Sequence, residues 1–109
     1  MLLHAGRRRS QLPAGVDSIH NYYELQVLDE IANRSSRALE DADFMADVAC
    51  VALNHLPPRY IRHDVDMSFF LSPQEQEEMQ KKVRKAVKDA LKYVQKREQD
   101  KSEADATEA

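Results

Sequence analysis

A short polar segment after a double proline carries the side chains of this sequence that are best suited to chemistry. It holds two guanidinium groups, a phenol and two carboxylates, supplied by Arg59, Tyr60, Arg62, Asp64 and Asp66. Arginine binds phosphate or reads the O6/N7 edge of guanine, a carboxylate accepts from the N1–H and N2–H₂ donors of that base, and an aromatic ring stacks on it. On residue types alone, a guanine-nucleotide site and a salt-bridged structural corner are equally favoured.

The helix before this segment must hold it against the core. Asp41 or Asp43 is a suitable N-cap, and the helix is expected to end at Leu56 because Pro57 excludes the residue before it from the α region. Its residues are apolar almost all round, which is typical of the buried centre of a small domain. Asn54, in its last turn, is expected to satisfy the chain where proline removes a donor.

The segment itself is expected to be extended from Arg59 to Met67. Alternation then places apolar residues with His63 on one face and the charged residues with Tyr60 on the other. An edge strand of this kind would satisfy its backbone by pairing with its symmetry mate in a dimer. The prediction is a strand that covers the core on one side and displays its polar side chains on the other.

A first helix is expected to run from Asp17 or Ser18, as N-cap, to about Ala32. The connector after it can add a helical turn at residues 37–40. The apolar residues recur at helical spacing and form a wide stripe: Ile19, Tyr22, Tyr23, Leu25, Val27, Leu28 and Ile31.

The start of the last helix is the strongest local signal in the chain. Ser72 at the N-cap, Pro73 at the first helical position and Glu75 at the third make a capping box. Apolar residues then recur at helical spacing, and the helix is expected to run to about Arg97. A helix this long in so small a domain is expected to pack partly against a second subunit.

Composition fits a single small helical domain. The chain has 109 residues with two glycines and four prolines, too few for a turn-rich sandwich or barrel. We expect a mainly α fold over residues 17–98, with three main helices and the short extended segment. Residues 1–16 are expected to be a disordered basic tail and residues 99–109 a disordered acidic tail. No apolar run is long enough to cross a bilayer, and the single cysteine gives no disulfide framework, so a cytoplasmic location is the simplest expectation.

Groupings typical of catalysis or metal binding are not evident in the sequence. Cys50 lies in the middle of the apolar helix and is expected to be a buried small hydrophobe rather than a nucleophile. The four histidines show no metal-ligand spacing. His63 and Asp64 are neighbours, but neighbouring residues of a strand point to opposite faces. We therefore expect neither enzyme activity nor a bound metal.

A lysine stripe on the last helix is formed by Lys81, Lys85, Lys88 and Lys92. Such a stripe could follow the phosphates of DNA, but a solvated face opposite a hydrophobic seam has the same pattern. The net charge of −3 and the lack of a glycine-rich phosphate loop favour the solvated face. DNA is not expected as a partner.

Residues 52–60 read Ala-Leu-Asn-His-Leu-Pro-Pro-Arg-Tyr and are followed by Asp64-Val65-Asp66. This stretch resembles the signature of the late competence development family, ComFB, with a weaker echo at residues 21–24. The resemblance covers roughly residues 18–98. It implies a small α-helical homodimer that is not an enzyme. It also implies binding of a cyclic dinucleotide, chiefly cyclic di-GMP, that connects this messenger to motility or competence.

Under this resemblance the ligand-binding candidates are Arg59, Arg62, Tyr60, Asp64 and Asn54. Arg59 and Arg62 would take phosphate or the guanine edge. Tyr60 would stack on the base, Asp64 would read it, and Asn54 would fix the turn or contact the ribose. An isologous dimer offers two copies of this set, which matches the two-fold symmetry of the ligand. Cyclic di-AMP is the alternative ligand, and guanine is preferred because carboxylates are present.

The chain departs from the family pattern in one respect. Some members carry several cysteines, associated with zinc, before the second helix, whereas residues 34–47 contain none here. Structural zinc is therefore not carried over. The alternative function is a protein-interaction adaptor without a small-molecule ligand, whose partner surface lies on the long helix or the tails. Either function requires a downstream protein, which the sequence does not identify.

Overall fold

A computed structural model describes residues 12–108 of the protein. Within that range five helices and two short strands follow a 3-10 turn at Val16–Ser18. The predicted mainly α fold, with three long helices, is confirmed. The elements in chain order are β1 (His20–Asn21), α1 (Tyr23–Arg34), α2 (Ser36–Glu40), α3 (Ala42–Asn54), β2 (Tyr60–Ile61), α4 (Val65–Phe70) and α5 (Pro73–Glu108).

The core lies where α1, α3 and α5 pack against one another. Each helix contributes residues spaced three or four apart, which places them on one face. The most deeply buried side chains are Val27 and Ile31 from α1, Phe44, Val48 and Ala52 from α3, and Val87 and Ala90 from α5. The periodic apolar pattern of the sequence therefore identified the core-facing side of α5.

Side-chain caps set three of the helix starts. The Ser35 hydroxyl accepts from the Ala38 N–H, and the Asp41 carboxylate accepts from the Phe44 N–H. At the start of α5 the predicted capping box is confirmed: the Ser72 hydroxyl accepts from the Glu75 N–H at 3.1 Å, while Glu75 Oε1 accepts from the Ser72 N–H at 3.2 Å. Of the two predicted caps for α3, Asp41 is therefore the one used.

The first helix starts later than predicted. Neither Asp17 nor Ser18 is its N-cap, because residues 20 and 21 form β1 and α1 begins at Tyr23. Only Tyr23, Val27 and Ile31 of the predicted stripe are buried within the helix, whereas Leu25 and Leu28 are exposed. The additional helical turn expected at residues 37–40 is present as α2.

The prediction of an extended chain from Arg59 to Met67 is wrong beyond Ile61. β2 has two residues and pairs antiparallel with β1 of the same chain, not with a symmetry mate. The chain then turns into α4, where Met67 is buried, and Leu71 directly after the helix is buried as well. Their four-residue separation suits a helical turn, and the Leu71 N–H donates to the Met67 carbonyl at 3.0 Å.

The last helix is longer than predicted. It continues past Arg97 to Glu108, so residues 99–108 are helical rather than a disordered tail. Pairs four residues apart hold this extension: Lys96 Nζ donates to Asp100 Oδ1 at 3.0 Å, and Gln99 Nε2 donates to Glu103 Oε1 at 3.3 Å. Most of the predicted basic N-terminal tail, residues 1–11, lies outside the described residues. No helix of the described chain is long and apolar enough to cross a membrane.

The position of Cys50 also differs from the expectation. It was expected to be buried, but its side chain is exposed. α3 packs on α1 and α5 through Phe44, Val48 and Ala52, and Cys50 lies on the side of the helix that these contacts leave open. The helix is therefore less uniformly covered than its apolar composition indicates.

Candidate functional site

Most of the predicted ligand residues lie where β1 meets β2. In the antiparallel pair His20 faces Ile61 and Asn21 faces Tyr60. We use the name polar corner for the side chains around this pair: Ser18, His20, Arg59, Tyr60, Arg62 and Asp64. The pairing brings the chain before α1 next to the chain after the double proline, which are remote in sequence.

Arg62 and Asp64 are both attached to residues 18–20. Arg62 Nε donates to the Ser18 hydroxyl at 3.3 Å, and Asp64 Oδ1 lies 2.8 Å from His20 Nε2. Both side chains are exposed. Among the described residues, no partner contacts the terminal nitrogens of Arg62, so its guanidinium retains donors for a ligand.

His20 sits between two hydrogen-bond acceptors. Its Nδ1 lies 2.8 Å from the Ser18 carbonyl oxygen, and its Nε2 contacts the Asp64 carboxylate. An imidazole can satisfy two acceptors at once only when both nitrogens carry protons. The hydrogen bond to Asp64, with that to Ser18, raises the pKa of His20. The corner thus favours a positively charged histidine beside Asp64.

Arg59 and Tyr60 are placed differently. The Arg59 backbone is fixed at both ends: its N–H donates to Asn21 Oδ1 at 2.9 Å, and its carbonyl accepts from the Tyr22 N–H at 2.6 Å. Its exposed guanidinium lies near the start of α5, where its charge adds to the effect of the Ser72 hydrogen bonds in lowering the pKa of Glu75. The Tyr60 side chain is 68% exposed. An exposed phenol and an exposed guanidinium are both open to a ligand.

Asn54 does not belong to this group. It is the last residue of α3, is exposed, and lines a groove between α3 and α5. That Asn54 fixes the turn after the prolines stays a prediction. The polar corner comprises four of the five predicted site residues, and the fifth lies on a separate surface.

Asn21 performs the structural role that was expected of Asn54. Its side chain is 8% exposed, and its Oδ1 accepts from the N–H groups of both Tyr23 and Arg59. The Glu24 carboxylate in turn accepts from the Asn21 N–H at 3.2 Å. Asn and Glu three residues apart form the capping-box pattern, so a local signal for this residue was present in the sequence. No local signal indicates His20, because its partner is forty-four residues away.

The residue types of the corner include a serine, a histidine and an aspartate, but their geometry is not that of a nucleophile with its base. The Ser18 hydroxyl donates to the Gly15 carbonyl at 2.7 Å, and His20 contacts the Ser18 carbonyl oxygen rather than the hydroxyl. Activation of serine requires its hydroxyl to donate to the histidine ring. Within residues 12–108, no group of three or more His, Cys, Asp or Glu side chains is placed to hold a metal ion.

An exposed apolar surface adjoins the corner. Immediately after Asp64, α4 presents Phe69 and Phe70, which are 80% and 78% exposed, together with the exposed Val65. We call these three residues the α4 patch. Adjacent exposed phenylalanines are uncommon on a monomer and are typical of interaction surfaces.

The lysine stripe is partly neutralised along its own helix. Lys85 Nζ lies 2.8 Å from Asp89 Oδ2, and Lys81 Nζ lies 3.7 Å from Glu77 Oε1. The hydrogen bond to Asp89 raises the pKa of Lys85. Ion pairs of this kind are typical of a solvated helix face.

Comparison with known proteins identifies a family. A family model described as late competence development protein ComFB matches residues 20–98, whereas no curated protein and no solved structure matches the chain. The matched range contains β1, the double proline, the polar corner except Ser18, and the core-facing part of α5. Membership suggests a competence-related role. The chain belongs to the ComFB family.

Proposed function

We propose that the protein is a non-enzymatic receptor for cyclic di-GMP that acts as a homodimer. The resemblance implies this ligand, and the chemistry of the polar corner supports it. The observation that carries the proposal is the exposed α4 patch, whose helix begins directly after Asp64.

The α4 patch is the proposed dimer interface. Covering Phe69 and Phe70 removes roughly 300 Å² per protomer from water, a large part of the about 800 Å² that each partner of a standard interface buries. Contact between two α4 patches around a two-fold axis is isologous, so both polar corners approach the axis. A ligand with its own two-fold symmetry then meets one corner from each protomer.

The side chains of one polar corner can contact the phosphate and the base of one half of cyclic di-GMP. Arg62 binds a phosphate or the O6/N7 edge of guanine through its terminal nitrogens. Asp64 accepts from the base N1–H and N2–H₂ through Oδ2, since Oδ1 contacts His20. Tyr60 stacks on a base and Arg59 adds positive charge toward the phosphates. Asn54 has no part in this site because it lines the groove between α3 and α5.

The geometry of the corner supports the non-enzymatic part of the proposal. The Ser18 hydroxyl and the His20 ring do not form a nucleophile–base pair, as their separate partners show. The other charged groups of the corner are arginine and aspartate side chains that hydrogen-bond or lie exposed. Binding and release of a ligand is the chemistry for which this set is suited.

Isothermal titration of the purified protein with cyclic di-GMP tests the ligand, with cyclic di-AMP and GTP as competitors. We expect saturable binding at one ligand per dimer. Arg62→Ala should weaken it at least tenfold with little change in thermal stability. Arg84→Ala, which removes an exposed arginine of α5, is the matched control and should bind like the wild type. Unchanged affinity in folded Arg62→Ala would refute the corner as the site.

Sedimentation velocity tests the interface separately. Phe69→Ser with Phe70→Ser should convert a wild-type dimer into a monomer, while Leu39→Ser, at an exposed leucine of α2, should leave the dimer intact. A wild-type protein that is monomeric with and without ligand contradicts the dimer.

The second candidate function is an adaptor without a small-molecule ligand. Its supporting observation is that hydrogen bonds already join His20 to Asp64 and Arg62 to Ser18, as in a structural corner. Absence of heat and of thermal stabilisation with all three nucleotides would favour it.

A further inference from the structure

A long open groove lies on the surface between α3 and α5, and none of the polar-corner residues lines it. Its volume is about 850 Å³. On one side it is lined by the end of α3 and the residues up to Pro57, and on the other by α5 from Lys82 to Arg97. We call it the α3–α5 groove. It is not explained by the fold or by the proposed cyclic di-GMP site.

The floor of the groove is apolar and is formed in part by small alanine side chains. Leu56, Ala86 and Ala90 are buried in it, and the partly buried Val51 forms one wall. Ala86 and Ala90 lie four residues apart on one face of α5, and their methyl groups leave depth above the helix for side chains of another molecule. An apolar floor of this shape suits leucine-sized side chains that enter from outside.

The rim of the groove is basic although the whole chain is acidic. Among the described residues that line the groove, three are cationic and one is a carboxylate: Lys82, Lys85 and Arg97 against Asp89. The net charge of the whole chain is −3. Asp89 is already paired with Lys85, since Lys85 Nζ lies 2.8 Å from it. Lys82 and Arg97 therefore give the groove a positive charge near each end. An occupant with acidic groups complements it.

The length of the groove distinguishes between classes of acidic occupant. Lys82 and Arg97 are fifteen residues apart on one helix, a distance of about 22 Å along its axis. A helix of about fifteen residues has the same length, whereas a compact nucleotide would cover only part of it. Beside Arg97, the half-exposed Tyr93 ring lies 5.7 Å from the guanidinium carbon. Tyrosine and arginine are the residue types that dominate the binding energy of protein interfaces.

We infer that the α3–α5 groove binds one amphipathic α-helix of another protein, with an apolar stripe flanked by acidic residues. The stripe packs on Ala86 and Ala90, and the acidic flanks meet Lys82 and Arg97. This inference goes beyond the proposed function and does not depend on cyclic di-GMP binding. It assigns a site and a chemical class to the downstream partner.

Fluorescence anisotropy with two synthetic helical peptides tests the inference on the full-length protein. One peptide carries leucines at positions i, i+4, i+7 and i+11 with flanking glutamates, and the other replaces each glutamate by lysine. We expect saturable binding of the acidic peptide and at least tenfold weaker binding of the basic one. Lys82→Glu with Arg97→Glu should reverse that preference, whereas Lys92→Glu, on the same helix but outside the groove, should leave it unchanged. Circular dichroism verifies that each variant is folded.

Three results would overturn the inference. The acidic peptide does not bind, or both peptides bind equally to the wild type, or cyclic di-GMP binding is lost in folded Lys82→Glu/Arg97→Glu, which would make the groove the nucleotide site. Failure of the proposed function is distinguishable, because Arg62→Ala should lose the nucleotide and keep the acidic peptide.

Discussion

The Nε2 of His20 lies 2.8 Å from Oδ1 of Asp64 across forty-four residues of chain. The opposite ring nitrogen lies 2.8 Å from the Ser18 carbonyl. The first contact ties the chain before α1 to the turn that precedes α4, and the second holds the ring from its other side. Because both partners are acceptors, the connection is complete only when the imidazole is protonated.

Stability should therefore depend on pH through His20. Its folded pKa is raised above the ordinary value of 6.5 by the Asp64 and Ser18 hydrogen bonds, so the stabilisation is fully present below the unfolded pKa and is lost as pH rises through the folded pKa. An NMR titration of the ring should show the raised pKa, and Asp64→Asn should lower it toward the ordinary value. Asp66→Asn removes a nearby carboxylate that does not contact His20 and is the control. An unchanged His20 titration in Asp64→Asn contradicts the pairing.

Asn21→Ala should destabilise the fold by about 1–3 kcal/mol. The change removes the acceptor of two backbone N–H groups, those of Tyr23 and Arg59, and a buried donor without a partner costs its desolvation. Urea denaturation followed by circular dichroism measures the free energy of unfolding. Asn33→Ala, at an exposed asparagine of α1, should change it by less than about 0.5 kcal/mol. Equal effects of the two substitutions would contradict the role of Asn21.

Ser72→Ala should cost about 0.5–2 kcal/mol, because the hydroxyl accepts from the Glu75 N–H at the start of α5. Ser102→Ala, inside the same helix and exposed, is the control for replacing serine by alanine. The reciprocal half of the cap adds a pH dependence. The Ser72 hydrogen bonds lower the pKa of Glu75, so its stabilisation is present above the unfolded pKa and is lost as pH falls through the folded pKa. A Glu75→Gln variant should lose that dependence.

Deletion of residues 99–109 should leave the thermal midpoint within a few degrees of the wild type. None of the described side chains beyond Val94 is buried, and the deletion retains Glu98, which accepts two hydrogen bonds from Arg37 at 2.9 and 2.7 Å. The helical signal in circular dichroism should fall by about the contribution of the ten helical residues that are removed. Val94→Ala, which shortens a buried side chain, should lower the midpoint more than the deletion does. A large loss of stability on deletion would show that the helix end is supported by contacts outside the protomer.

The features that were predictable from the sequence are those encoded within a few residues. The Ser72 capping box, the Asp41 cap and the apolar spacing of α5 are local signals, and the structure contains each of them. β1 and β2 have two residues each, too short for an alternating pattern, and their pairing joins distant segments. Arg62 and Asp64 are two residues apart, so their grouping was predictable from the sequence. No local pattern connects them to His20, which lies forty-four residues before Asp64. Asn54 lies in the groove lining rather than in the corner, because sequence proximity to the prolines does not determine which side of α3 a residue occupies.

The open side of α3 gives the protein a practical property. Cys50 is exposed and is the chain's single cysteine, so a maleimide dye attaches to the natural sequence at one defined position. That position is one helical turn before Asn54, which lines the α3–α5 groove, and its other neighbour Val51 lines the groove as well. A dye there reports occupancy of the groove without any engineered residue. The unmodified protein can therefore be screened against peptide libraries by a change in fluorescence.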